Sequence, residues 1–162
     1  MPLSFGPCST SLLYILDEQL KNQRERMGRT SFELTVVQVN LEFSEYAESS
    51  LWNSIQERFP THTYITLGIE DALSLPSIDW ASLGLTIDKS LPHKERLQAL
   101  LKSISTATSR ADIASTLLTR LLVDTAAKND CTSILFGDST TRLAEKTLTE
   151  TAKGRGFSLP WQ

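Results

Sequence analysis

The chain is poor in the residues that staple, metallate or anchor a protein. Cysteine occurs twice in 162 residues, at Cys8 and Cys131. The two lie far apart and form no Cys-x-x-Cys pair, so no zinc site can be read. Two reduced thiols in a cytosolic protein is the expectation, ahead of a disulfide. Histidine also occurs twice, at His62 and His93, without metal-ligand spacing and without a paired carboxylate nearby in sequence to support acid–base work. No run of 18 apolar residues exists, so no membrane span is expected. The amino terminus lacks the basic region and apolar core of a signal peptide. Positive charge is not in excess: the formal net charge is -3 and the pI about 5.4. That balance argues against autonomous, non-specific nucleic-acid binding and leaves room only for a local basic patch.

What is present is ordinary for a globular protein: 40% hydrophobic and 22% charged residues in 18.0 kDa. One domain fits this length, and it would bury roughly 70% of its unfolded surface. Only Met1-Pro2-Leu3 precedes the first loop, too little for a buried strand. The expectation is therefore the core or a fragment of a longer protein. Residues 9–27 predict a helix capped by Ser9 or Thr10, with Leu12, Leu13, Leu16 and Leu20 at helical spacing and a stop at Gly28. Residues 32–40 predict a strand, 45–59 a helix ending before Pro60, and 63–68 a strand. Residues 71–93 read as a long connection with short helical pieces, of the kind that is functional or contacts a partner. A short helix is expected near 93–103. Ser109-Arg110-Ala111-Asp112 resembles a capping-box start for a helix whose apolar face is Ile113, Ala114, Leu117, Leu118, Leu121 and Leu122. Residues 131–136 predict a strand and 141–153 a helix stopped by Gly154. Strands alternating with helices predict a parallel sheet covered on both faces.

Two segments each read as strand, tight loop and helix start. One is Ser4-Phe5-Gly6-Pro7-Cys8-Ser9, the other Ile134-Leu135-Phe136-Gly137-Asp138-Ser139-Thr140-Thr141-Arg142. Together they resemble the nucleotide-facing loops of an ATP-pyrophosphatase (PP-loop) domain. The resemblance implies a Rossmann-like sheet of about five strands, of the adenine nucleotide alpha hydrolase type, with helices on both faces. The PP-loop pattern is Ser-Gly-Gly-x-Asp-Ser, whose glycines let amides approach a pyrophosphate at a helix amino terminus. Ser4, Gly6 and Ser9 keep it. Phe5 replaces a glycine, Pro7 removes an amide donor, and Cys8 replaces the acid. In active thiolases of this fold the second loop reads Gly-His-Asn-Ala-Asp-Asp. Here Gly137 and Asp138 are the remnants, and Arg142 reverses the charge of one late acid. The plainer alternative for both loops is a capped turn, which the residue types also explain.

The segment from Ile134 through Arg142-Leu143-Ala144 to Gly154-Arg155-Gly156 resembles the second subunit of the cytosolic wobble-uridine thiolation complex, the cytoplasmic tRNA 2-thiolation protein 2 family. Ser109–Asp112 and Ile69-Glu70-Asp71-Ala72-Leu73-Ser74 resemble it too. The resemblance covers roughly Ser4 to Trp161. It implies a cytoplasmic, non-catalytic subunit needed for 2-thiolation of the wobble uridine (5-methoxycarbonylmethyl-2-thiouridine formation). The implied partner is a catalytic sister that adenylates the uridine oxygen with ATP and receives sulfur from a thiocarboxylated ubiquitin-related modifier. ATP and any metal would then belong to the sister. Family members carry zinc-binding cysteine pairs that this chain lacks, so zinc would lie outside it. No catalytic residue and no metal ligand is assigned to this chain.

Arg142, Lys146, Lys153 and Arg155 are candidates for tRNA phosphates, against the alternative of a solvated helix face shared with Glu145 and Glu150. Lys21, Arg24, Arg26 and Arg29, interrupted by Glu25, form a second basic cluster with the same two readings. Trp80 and Trp161 are candidate partner anchors, whereas Trp52 reads as core. Two rival functions remain at this point. One is an active ATP-dependent tRNA sulfurtransferase using Cys8 or Cys131. The other is a nucleotide-binding adaptor with no tRNA role.

Overall fold

A computed structural model describes residues 1–41, 48–76, 78 and 91–157. Trp80 and Trp161 lie outside the described residues, as does most of the long connection. The described chain is mixed α/β and divides into two compact units: residues 1–2 with 33–135, and residues 3–32 with 136–162.

The first unit is built on a parallel pair of strands, β1 (Thr35–Asn40) and β2 (Thr63–Gly68), in register from Thr35↔Thr63 to Asn40↔Gly68. Their branched and aromatic side chains suit a pleated, half-buried surface. Helix α2 (Glu48–Arg58) makes the crossover. Buried Trp52 of α2 meets Tyr64 of β2 edge to face at 5.3 Å, and the Tyr64 hydroxyl donates to the Phe59 carbonyl at 2.6 Å. Trp52 is thus core, as its place in the helix suggested. A 3-10 helix, Ile69–Ser74, follows β2, and helices α3 (His93–Ser103) and α4 (Ala107–Lys128) pack against it. Ile69, Ala72, Leu75, Leu97, Leu100, Leu117 and Leu121 form their common core. Helix α4 starts earlier than Ser109 suggested. Thr106 is the cap, its oxygen accepting from the Ser109 amide at 3.1 Å while its hydroxyl donates to Ser109 Oγ at 2.7 Å. Ser109 therefore sits at the third helical position, where a capping box places its acid.

Among the described residues only two strands pair, so the sheet is smaller than the expected five. Pro2 makes a single parallel bridge to Val37, and 131–136 forms no ladder. The apolar run that suggested a strand there is short, and its end is exposed at Leu135 and Phe136. A strand buried on both faces would cover those side chains.

The second unit holds α1 (Pro7–Met27) and α5 (Thr140–Ala152). Helix α1 buries Ser9, Leu13, Leu16, Asp17 and Leu20 on one face. It begins at Pro7 rather than at Ser9, with Gly6 as a cap that makes no side-chain bond. Proline suits the first helical position because its missing N–H would lack an intrahelical partner anyway. It ends at Gly28, whose φ of 66° is left-handed and whose amide donates to the Arg24 carbonyl at 2.9 Å. Helix α5 is capped by Ser139, which accepts from the Arg142 amide at 3.2 Å. None of its side chains is buried, and Leu143 and Leu148 stand exposed. No helix among the described residues is long and apolar enough to cross a membrane.

Candidate functional site

The two loops singled out by sequence meet inside the second unit. Ser4 Oγ and Ser9 Oγ lie 3.1 Å apart, and the Ser9 hydroxyl also reaches the Gly6 carbonyl at 3.1 Å. Ser9 is almost fully buried, so these bonds satisfy a hydroxyl that burial would otherwise penalise. Gly137 of the second loop approaches the same residue. A Cβ placed on Gly137 would stand 2.5 Å from Ser9 Cα and 2.9 Å from both Ser9 N and Cβ. Glycine is required there by contact between backbones.

Phe5 has φ 55°, in the region that favours glycine. This is the position at which Phe stands for a glycine of the PP-loop pattern. The first loop therefore follows a glycine-type path with a bulky residue on it, at a strain of about 1–2 kcal/mol.

Around this pair the chemistry is sparse. Cys8 and Cys131 are both free and exposed. No group of three or more His, Cys, Asp or Glu among the described residues could hold a metal ion. Asp138 is held by Arg142, with Nε 3.7 Å from its carboxylate. Glu150 pairs with both Lys153, at 3.5 Å, and Arg155, at 3.2 Å. Three of the four cations read as phosphate contacts thus face carboxylates of their own segment, whereas Lys146 makes no ion pair among the described residues.

Sequence reading passed over Asp17. It is 1% exposed on the apolar face of α1 and pairs with Lys21 at 2.7 Å. That hydrogen bond raises the Lys21 pKa above its ordinary value. The signal was present in the sequence as an aspartate among Leu13, Leu16 and Leu20 with a lysine four residues on.

The first unit has its own pocket, lined among others by Thr35, Val37, Leu122, Thr125, Asn129 and Cys131. At its edge the Met1 ammonium donates to the Thr35 carbonyl at 2.7 Å, and burial lowers its pKa. None of the loop remnants lines this pocket.

No protein-family model and no solved structure matches the chain. Curated proteins do. A protein of Sclerotinia sclerotiorum named cytoplasmic tRNA 2-thiolation protein 2 is 54% identical over 171 residues, covering 100% of this chain and 45% of that protein. Proteins of the same name from Phaeosphaeria nodorum and Ajellomyces capsulatus are 46% and 40% identical, over 100% and 99% of this chain and 43% and 46% of their own lengths. The chain spans a little under half the length of these relatives. Across its whole length it belongs to the cytoplasmic tRNA 2-thiolation protein 2 family.

Proposed function

We propose that this chain is part of a cytoplasmic protein required for 2-thiolation of tRNA wobble uridine, and that it serves as a non-catalytic subunit. The carrying observation is the match along the whole of this chain, at 54% identity, to 45% of a protein named for cytoplasmic tRNA 2-thiolation. On this reading the fold is a degenerate PP-loop domain whose complete sheet has about five strands. A catalytic sister subunit supplies ATP chemistry and receives sulfur from a thiocarboxylated ubiquitin-related modifier, and tRNA binds to the complex. Phe5, Pro7, Cys8 and Arg142 support the non-catalytic role, because each removes something a magnesium nucleotide needs. Phe5 crowds the backbone, Pro7 withholds an amide, Cys8 lacks the acid's charge, and Arg142 reverses one. Exposed Leu143 and Leu148 on α5 support a surface that a partner covers.

The test is wobble-uridine thiolation in cells lacking the protein, read on bulk tRNA by a mercury-affinity gel. Thiolation should vanish. It should return with full-length protein carrying Ser4→Ala and Arg142→Ala. Failure of that variant, when folded and still in its complex, would mean that the loop pair works as a site. Thiolation that never changes would remove the tRNA role altogether.

A further inference from the structure

We propose that the carboxy-terminal tip of α1, carrying Arg24, Arg26 and Arg29, is the contact this protein makes with the phosphate backbone of RNA. The inference rests on the tRNA reading above and moves the contact away from α5.

The charge of the chain is unevenly divided. The unit containing both loops carries eight Lys and Arg against six Asp and Glu, a net of +2, while the other carries eight against thirteen, a net of -5. An acidic protein can therefore present one basic body to a polyanion. Within that body the cations differ in availability. Lys21 is held by Asp17 at 2.7 Å and Glu18 at 3.6 Å, and Arg142, Lys153 and Arg155 face Asp138 and Glu150. Arg24, Arg26 and Arg29 are exposed and make no ion pair among the described residues. Against them stands only Glu25, which leaves the tip with a net of +2 from Arg24 to Arg29.

Two features fit this tip to phosphates rather than to the helix alone. The helix dipole accounts for cations in the last turn, where Arg24 and Arg26 lie. It does not account for Arg29, which follows the left-handed Gly28 and is outside the helix. Arg24 and Arg26 are two residues apart, so they point to opposite sides of the axis. The three guanidiniums are exposed at the helix end, each able to take a separate phosphate with a forked pair of donors.

The experiment uses the full-length protein in its native complex and bulk tRNA, with affinity measured by fluorescence anisotropy across a salt series. Arg24→Gln, Arg26→Gln and Arg29→Gln are combined in one variant, and Arg142→Gln with Lys146→Gln in another. The tip variant should lower the slope of log affinity against log salt by about two to three, near 0.7–0.9 for each phosphate no longer neutralised. A variant carrying lysine at the three positions should restore most of the slope, and the α5 variant should leave it unchanged. A slope unchanged in the tip variant overturns the proposal, as does a decrease confined to the α5 variant. Release of a protein partner with tRNA binding intact also overturns it and assigns the tip to an acidic protein. These outcomes differ from failure of the tRNA reading, in which cells lacking the protein keep wobble thiolation.

Discussion

Gly137→Ala is the sharpest perturbation of the loop pair. The added methyl would stand 2.5 Å from Ser9 Cα and 2.9 Å from Ser9 N. Carbon atoms are at ease near 3.5–4.0 Å, so the loop or the first turn of α1 must give by about 1 Å. The opposing atoms are helix backbone, pinned by the Ser9 hydroxyl bonds to Gly6 and Ser4. Overpacking of this kind costs about 1–3 kcal/mol. Loss of glycine freedom in the unfolded chain returns about 0.4–1 kcal/mol. The net is a loss of about 1–2 kcal/mol, or roughly 2–8 °C in Tm for a protein of this size. The matched control is Gly6→Ala in the facing loop. There the nearest atom is Ser4 Oγ at 3.6 Å, an ordinary contact, and φ is -74°. A small cap loss and a small entropy gain nearly offset at Gly6, so its Tm should move by no more than about 2 °C. Thermal melts followed by near-UV circular dichroism of the two variants decide the matter. Equal Tm values for Gly137→Ala and Gly6→Ala would refute the claim that backbone contact makes Gly137 necessary.

Thr106→Ala and Ser139→Ala each remove an N-cap oxygen, and each should cost about 1 kcal/mol in urea denaturation. Gly28→Ala meets nothing within 4 Å yet forces alanine to φ 66°, so it should cost about 1 kcal/mol through conformation alone. Lys21→Gln should lower Tm by leaving the buried Asp17 carboxylate without its lysine, and adding Asp17→Asn should restore part of the loss. Since the pair raises the Lys21 pKa above the ordinary 10.5, its contribution is complete below that pH and fades only above the raised value. Melts of the wild type between pH 6 and 9 should therefore show no slope from this pair.

Local signals were legible where one residue type dictates one geometry. Gly28 stopped α1 as expected, and β2 fell on the expected residues 63–68. Branched residues and a glycine carry those choices without help from distant contacts. The helix starts were read less well. Several oxygens within a few residues can serve as a cap, and proximity in sequence does not choose between Thr106 and Ser109, or between Gly6 and Ser9. The strand expected at 131–136 failed for a different reason. A run such as Ile134-Leu135-Phe136 becomes a strand only with a ladder partner, and pairing is a long-range property. In the loop pair, Ser4, Gly6, Ser9 and Gly137 were all identifiable from their pattern. What the pattern does not contain is the 2.5 Å approach that makes Gly137 indispensable, because it joins residues more than a hundred positions apart.

On the proposed degenerate PP-loop reading the loops keep a shape whose original use has gone, and Phe5 allows the two to be separated. Phe5→Gly restores the glycine of the PP-loop pattern at a position already at φ 55°. It relieves about 1–2 kcal/mol of strain and gives back about 0.4–1 kcal/mol of that through the freer unfolded chain. It also forfeits the packing of a half-buried ring, so its net effect on stability should be small. Its effect on ATP binding discriminates more strongly. If crowding by Phe5 alone had abolished binding, the variant would recover affinity, and ATP at a hundred times its Kd would stabilise the protein by about 2.7 kcal/mol. On the same reading the sequence places three further obstacles beyond Phe5: Pro7 offers no amide, Cys8 lacks the acid's charge, and Arg142 occupies the position of an acid. The expected result is no shift in Tm with millimolar ATP and magnesium, in Phe5→Gly as in the wild type. A shift of several degrees in the variant would show that the loop still holds a working phosphate cradle behind one side chain. The non-catalytic reading would then fail at the first loop.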